Sequence, residues 1–220
     1  MPLDGEDDNS SPFNSCVLWL DSRYFTESYW WDISPYRNNG IVNDGVWRGD
    51  AFYFGGGGNN YYVEIPYSDS LNIYNSKKVT VALLISMIDD SNDSFITLFQ
   101  RNYQYKVVWR SSDNTPYFQW KDSSGNTHEF YESGLNLSLK DWHFIAFSMC
   151  LNGNGKGIEC VDGKIMKEDD IGYNVKNDTS EKVYLAEKSF KGYYAYAMLF
   201  NRNLSKEELK ILYKLTYRKI

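Results

Sequence analysis

The 220-residue chain holds only three cysteines, two histidines, five prolines and five methionines. Three cysteines are too few for a disulfide-built scaffold, and Cys16, Cys150 and Cys160 lack zinc-site spacing. Cys150 and Cys160 flank the turn-rich run Asn152-Gly153-Asn154-Gly155-Lys156-Gly157. Two readings stay open there: a disulfide across a hairpin, or two reduced, packed thiols. His128 and His143 are too few and too far apart to suggest a catalytic triad. Basic residues are also short, 23 against 29 acidic, for a net charge of −6. The chain therefore has no general electrostatic drive toward nucleic acid or an anionic membrane surface. Its apolar runs fall far short of the roughly 20 residues that span a bilayer, so membrane insertion is not expected. The opening residues, Met1-Pro2-Leu3-Asp4-Gly5-Glu6-Asp7-Asp8, lack the basic and apolar regions of a signal peptide. A cytosolic protein, an excised fragment and a protein carried outside by another route all fit that start.

Aromatic residues are abundant instead: 19 Tyr, 12 Phe and 7 Trp, 17% of the chain. Such residues suit pleated, half-buried strands. Strand-type runs recur at 16–20, 51–54, 61–65, 79–87, 95–100, 105–109, 117–120, 128–131, 142–151, 158–161, 183–185 and 195–200. In the 142–151 run, Ile145, Phe147, Met149 and Leu151 share one face, and Phe144, Ala146 and Ser148 the other. Turn signals such as Asn38-Asn39-Gly40, Asn43-Asp44-Gly45 and Asp162-Gly163 separate the runs. Strands without long helices between them predict an all-β, antiparallel two-sheet sandwich of about 12–14 strands. Residues 1–13 are expected to be disordered or extended, and 14–220 to form one domain. A short C-terminal helix is signalled by Ser205-Lys206-Glu207-Glu208, a capping box, followed by Leu209, Leu212, Tyr213 and Thr216 or Tyr217 at helical spacing. The plain expectation is that it lies on the sandwich edge.

Several segments, taken in order, resemble the concanavalin A-like lectin/glucanase superfamily, in particular LamG-like jelly-roll domains related to laminin G and pentraxins. Leu18-Trp19-Leu20-Asp21 is similar to the family's first strand, and Asp32-Ile33-Ser34 to Asn38-Asn39-Gly40 to its Asp-x-Ser-x-x-x-Asn-x-Gly loop. Ala51-Phe52-Tyr53-Phe54-Gly55, Tyr62-Val63-Glu64-Ile65-Pro66 and Val79-Thr80-Val81 follow as the next core segments. Trp142-His143-Phe144-Ile145-Ala146-Phe147 with Val161-Asp162-Gly163-Lys164 resembles the family's hairpin. Phe190-Lys191-Gly192 and Asn201-Arg202-Asn203-Leu204-Ser205-Lys206-Glu207-Glu208 resemble its closing strand and helix. The resemblance covers about residues 16–217. It implies a jelly roll whose relatives mostly bind carbohydrates or protein surfaces, often with calcium, and sometimes hydrolyse glycans. It also implies an extracellular, particle-surface or cell-surface setting. Fold alone does not fix function.

A retaining glycosidase needs two carboxylates about 5–5.5 Å apart. The glucanase branch sets them as Glu-x-Asp-x-x-Glu, and this chain has no such pattern. Glu168-Asp169-Asp170 ends in Tyr173 where the second Glu would stand, and Glu129 and Glu132 have an odd spacing that sends them to opposite strand faces. No enzyme is expected. For calcium, the oxygen-rich candidates are Asp21 and Asp32, beside Asn38 and Asn39, and separately Asp89, Asp90, Asn92 and Asp93. The family's acidic pair after the closing glycine is replaced by Gly192-Tyr193-Tyr194-Ala195-Tyr196. The plain alternatives are a solvated hairpin tip at 89–93, and an Asp32 loop that uses its polar side chains to close turns.

Sugar rings stack on flat aromatic faces while their hydroxyls bond to Asp, Asn and Arg. The 24–48 stretch is dense in both kinds of group. The candidate ligand-binding residues are Trp30, Trp31, Asp32, Tyr36, Arg37, Asn38, Asn39 and Trp47. A second aromatic set, Tyr103, Tyr105, Trp109, Arg110, Tyr117 and Trp120, would line a sheet face in alternation, or fill the core. The expected function is a non-catalytic, lectin-like module that binds a glycan or glycosylated surface, gaining avidity from a homo-oligomer or larger assembly. The alternatives are an adhesion or structural protein that uses the jelly roll for protein contacts, and, less favoured, a glycoside hydrolase. Five Asn-x-Ser/Thr triplets, at Asn9, Asn92, Asn136, Asn177 and Asn203, decide nothing without a compartment.

Overall fold

The computed structural model describes residues 12–55, 61–90, 93–101, 104–177, 181–187 and 189–217. Of the segment expected to be disordered or extended, residues 1–11 lie outside them, as do Tyr103 and Asn92; its end is corrected, since Pro12–Ser15 forms a 3-10 helix and Phe13 stacks on Trp19 at 4.7 Å between ring centres. Sixteen antiparallel strands occur among the described residues: β1 (Cys16–Phe25), β2 (Tyr29–Asp32), β3 (Gly40–Asn43), β4 (Val46–Arg48), β5 (Ala51–Gly55), β6 (Tyr62–Ile65), β7 (Lys78–Asp89) and β8 (Phe95–Arg101); then β9 (Tyr105–Arg110), β10 (Thr115–Lys121), β11 (Thr127–Phe130), β12 (His143–Cys150), β13 (Gly155–Val161), β14 (Lys164–Ile171), β15 (Val183–Leu185) and β16 (Lys191–Phe200). One helix, α1 (Lys206–Tyr217), follows. Each of the twelve sequence runs is a strand. The four further strands, β2, β3, β4 and β14, are short or polar.

The hydrogen-bonded path runs β11-β10-β9-β8-β15-β6-β3-β2-β1-β16-β7-β12-β13-β14, with β5 joining β16 and β4. The path folds over so that its two halves face each other, the jelly-roll sandwich. Phe118 of β10 meets Phe147 of β12 at 5.9 Å between rings. The Tyr194 hydroxyl of β16 donates to the Leu98 carbonyl of β8 at 2.6 Å. The pleat of β7 shows how the layers form. Val79, Val81, Leu83, Ile85 and Met87 point into the core between the sheets. Ala82 and Leu84 point the other way, into a second apolar cluster under α1. Strand β12 divides the same way, with Ile145, Phe147 and Met149 inside and Phe144 and Ala146 beneath the helix.

Helix α1 begins as the capping box requires: the Glu208 amide donates to Ser205 Oγ at 3.3 Å, and the Ser205 amide to Glu208 Oε2 at 2.7 Å. Leu209, Leu212 and Thr216 are its buried residues. The helix lies over the outer face of β12 and β13 rather than along the sandwich edge, because Phe144, Ala146 and Ile158 leave apolar surface there to be covered. The turn joining β13 and β14 puts both Asp162 and Gly163 at positive φ, 49° and 75°. The Asp162 carboxylate takes the Phe144 amide at 2.9 Å and His143 Nδ1 at 2.9 Å, so His143 is a structural residue of the hairpin. A β-carbon at Gly163 would collide with the Tyr213 ring of α1.

All three cysteines are free and buried. The hairpin disulfide is corrected by register. Cys160 pairs with Ala146, four residues from Cys150 along β12, or about 13 Å at strand rise. A disulfide needs Cα atoms within about 7 Å.

Candidate functional site

Strand β1 is core-facing at its start and polar at its end. Its last residues, Arg23, Tyr24 and Phe25, emerge beside β2, whose four residues alternate exposed, buried, exposed, buried. Tyr29 and Trp31 therefore face outward, and Trp30 and Asp32 inward. Tyr29 and Trp31 stack at 5.4 Å between ring centres. The loop from Ile33 to Asn39 then closes over the end of β1. Between them lies an open groove of about 550 Å³, lined by Arg23, Tyr24, Phe25, Trp31, Asp32, Ile33, Arg37 and Asn39.

Asp32 holds this loop in shape. Its carboxylate accepts the amides of Trp19 at 2.7 Å, Ser34 at 2.8 Å and Asn38 at 2.6 Å, and the Ser34 hydroxyl at 2.7 Å. The Asp32 amide in turn donates to Asn39 Oδ1 at 2.9 Å. Asn38 is buried and donates to the Val17 carbonyl at 2.7 Å and to Ser70 Oγ at 2.9 Å. These bonds turn the chain sharply enough to place Arg37 at φ 55°. They leave Tyr36, 49% exposed, on the outside. Arg37 Nη1 donates back to the Asp32 carbonyl at 3.3 Å, which fixes the guanidinium at the groove.

The structure brings Trp31, Asp32, Arg37 and Asn39 of the sequence candidates to one groove, with Tyr36 exposed on the same loop. Three candidates are corrected. Trp30 has no exposed surface and packs on Phe52 at 5.0 Å between rings, because the two-residue period of β2 sends it into the core. The carboxylate of Asp32 and the side-chain amide of Asn38 are spent on the chain's own backbone and serine hydroxyls, so they position the site and do not reach a ligand. Trp47, 41% exposed, stands one ring away: it stacks on Phe25 at 4.9 Å and donates its indole N–H to the Ser22 carbonyl at 3.2 Å.

The metal candidates fare no better on geometry. Asp21 is buried and bonded to Arg23 through both oxygens, including Arg23 Nε at 2.9 Å. Asp32 is saturated by four donors. No group of three or more His, Cys, Asp or Glu is gathered for a cation among the described residues. In the 89–93 stretch, Asp90 accepts the Trp109 indole N–H at 3.2 Å and the exposed Asp93 the Ser189 hydroxyl at 2.6 Å.

The second aromatic set splits by parity. Tyr105, Trp109 and Trp120 fill the core between the sheets. Arg110 sits over the Tyr117 ring at 4.5 Å on the other face, and Tyr117 stacks on Tyr131 at 3.7 Å. The sequence reading missed Arg23. Its only signal was an Arg two residues after an Asp on one strand face, which many surface pairs share.

The chain is a lectin-like jelly-roll β-sandwich that carries an exposed aromatic and guanidinium groove. The chain belongs to the concanavalin A-like lectin/glucanases superfamily, whose Laminin_G_3 model matches residues 55–210. Among solved structures it is similar to the binding domain of Paraclostridial Mosquitocidal Protein 1, with TM-score 0.72 and 15% identity over 91% of this chain and 52% of that one. It is also similar to the binding domain of botulinum neurotoxin DC in complex with rat synaptotagmin II (0.72, 16%, 94% and 52%). A third structure, described by the dependence of botulinum neurotoxin type C cell entry on two ganglioside molecules, gives 0.70, 16%, 92% and 51%. The chain thus spans about half the length of the solved structures it resembles. Comparison with curated proteins gives no match.

Proposed function

We propose that the protein is a non-catalytic, lectin-like module that binds a glycan or glycosylated surface through the groove at the ends of β1 and β2. The carrying observation is that Tyr24 and Trp31, 50% and 39% exposed, line one groove that also holds Arg23 and Arg37, with Tyr36, 49% exposed, on the loop that closes it. Exposing large rings to water costs free energy unless a ligand covers them. Guanidinium groups beside them supply the planar donors that sugar hydroxyls and carboxylates accept. The receptor-binding roles named for the similar toxin domains support this reading. They also support a cell-surface setting and gangliosides as a ligand class to try first. The groove is shallow, so affinity per site is modest and useful binding relies on several copies.

The protein-contact reading stays as a second one, because one similar domain is seen with a protein receptor and because Tyr, Trp and Arg dominate protein interfaces. A glycan array separates the two. The glycan reading expects hits that Trp31→Ala weakens about tenfold or more. It expects those hits to survive chelation of calcium, since Asp21 and Asp32 are committed within the fold. An empty array with and without calcium leaves the protein-contact reading standing.

A further inference from the structure

His143 opens β12 between two groups that accept hydrogen bonds. Its Nδ1 faces Asp162 Oδ2 at 2.9 Å, and its Nε2 faces the Ser138 carbonyl at 2.9 Å. Ser138 Oγ stands 3.4 Å from the same Nε2, but its hydrogen is committed to Asp141 Oδ2 at 2.5 Å. A carboxylate and a carbonyl cannot donate, so both ring nitrogens must carry a proton to satisfy both contacts. Only the imidazolium does that. The residue is 7% exposed, so water has little access to it. His128 differs: its Nε2 meets Asp122 Oδ2 at 2.9 Å, a bond that a neutral ring can make.

The charges around His143 agree with its geometry. Burial disfavours the imidazolium, but the Asp162 hydrogen bond and charge, the Ser138 carbonyl and the Asp141 charge outweigh it, so the pKa lies above the ordinary 6.5. Ile85, opposite His143 on β7, is apolar. Tyr213 of α1 and Cys160 of β13 also sense Asp162, and burial, with that charge adding, keeps both protonated through the neutral range.

The ring holds the connection 131–142, which leaves β11 in one half of the sandwich and enters β12 in the other. Its start is gripped by Glu159, whose carboxyl accepts the Glu132 amide. Its middle is laced to the turn between β9 and β10: the Asn136 and Leu137 amides donate to the Asp113 and Asn114 carbonyls at 3.1 and 3.0 Å. The Lys140 amide donates to the Met87 carbonyl at 2.6 Å. His143 grips Ser138, between those last two anchors.

We propose that this connection is a pH-sensitive strap: the His143 imidazolium fastens it at Ser138 in mild acid, and the neutral ring lets Ser138 go. When the proton leaves to solvent, the ring keeps the N–H that faces Asp162, because a bond to a carboxylate is the stronger one. Nε2 then turns a lone pair toward the Ser138 carbonyl, and the contact becomes repulsive. The folded state has the raised pKa. This contribution to stability is therefore complete below about pH 6.5 and is lost as pH rises through the folded midpoint. The strap stands whether or not the groove binds a ligand.

NMR of the full chain tests it. With two histidines, both imidazoles resolve, and the signal lost in His143→Gln identifies the ring. The His143 titration midpoint is expected to be higher in the folded chain than in urea. Between about pH 6 and pH 8.5, amide-exchange protection of Leu137 and Lys140, corrected for the intrinsic rate, should fall about tenfold. Asp162→Asn is the discriminating variant. Its amide can donate to Nδ1, which leaves the ring N–H on Nε2 for Ser138 across that range. Asn also tolerates the φ of 49° at this turn. The variant should lower the midpoint and hold the protection constant, with urea melts confirming that it folds. A wild-type midpoint at or below the unfolded one overturns the proposal without any variant. A midpoint unmoved by Asp162→Asn, or an equal loss of protection in both proteins, overturns it too.

Discussion

Trp30 and Trp31 are neighbours with opposite fates, and the difference comes from one peptide unit of β2. Trp30 is sealed against Phe52, while Trp31 stacks on Tyr29 in solvent. Truncating Trp30 to Ala should cost about 3–5 kcal/mol in urea denaturation, because it opens a cavity in a packed core. Trp31→Ala should cost at most about 1 kcal/mol and fall instead on ligand binding. A second residue sets a pH dependence. Glu159 is fully buried in β13. One of its oxygens accepts the Glu132 amide at 2.5 Å, and the other has no partner among the described residues. Burial pushes its carboxyl from 4.5 up to about 8, the Glu132 charge adding, and the Glu132 amide and Lys167 opposing. The folded state therefore holds a proton that the unfolded state releases, so this contribution to stability is full below about pH 4.5 and is lost as pH rises through 8. Glu159→Gln does not titrate. Its stability relative to the wild type should rise between pH 5.5 and pH 8.5 in paired urea melts, and a difference that stays constant with pH contradicts the assignment. At this scale the sequence shows that Trp31, Tyr36 and Arg37 are candidates. It does not show that Trp30 is core, because a four-residue strand without aliphatic residues gives no alternation to read. Nor does it show the burial of Glu159, which depends on how β11 and the residues after it pack over β13.

The long strands and the helix are legible for the same reason: each repeats one pattern over enough residues to be read. Strand β7 alternates between two apolar clusters, and α1 carries its cap and its apolar stripe in sequence. Ser205→Ala should lower stability by about 1 kcal/mol through loss of the cap bond to the Glu208 amide, read as a shift in the urea midpoint at unchanged slope. Strands β3, β4 and β14 escape notice because they are short or mostly exposed. The charged run Lys167-Glu168-Asp169-Asp170 in β14 carries no apolar alternation, and its pairing with β13 is what makes it a strand. The Asp32 loop is a middle case. Its spacing marks a turn, and the structure shows that the turn consumes both the Asp32 and the Asn38 side chains.

At the scale of the whole molecule, two sheets seal part of the aromatic complement between them but leave one end of the sandwich ringed by exposed Tyr and Trp beside two arginines. The superfamily sets the scaffold, and the toxin binding domains whose fold it shares are about twice as long. The most direct measurement of that end is binding of the wild type and Trp31→Ala to a ganglioside-oligosaccharide panel displayed at high density, so that weak single sites add up. The account predicts discrete hits for the wild type that fall about tenfold or more in the variant while its urea midpoint holds. Hits of equal strength in both proteins would contradict it.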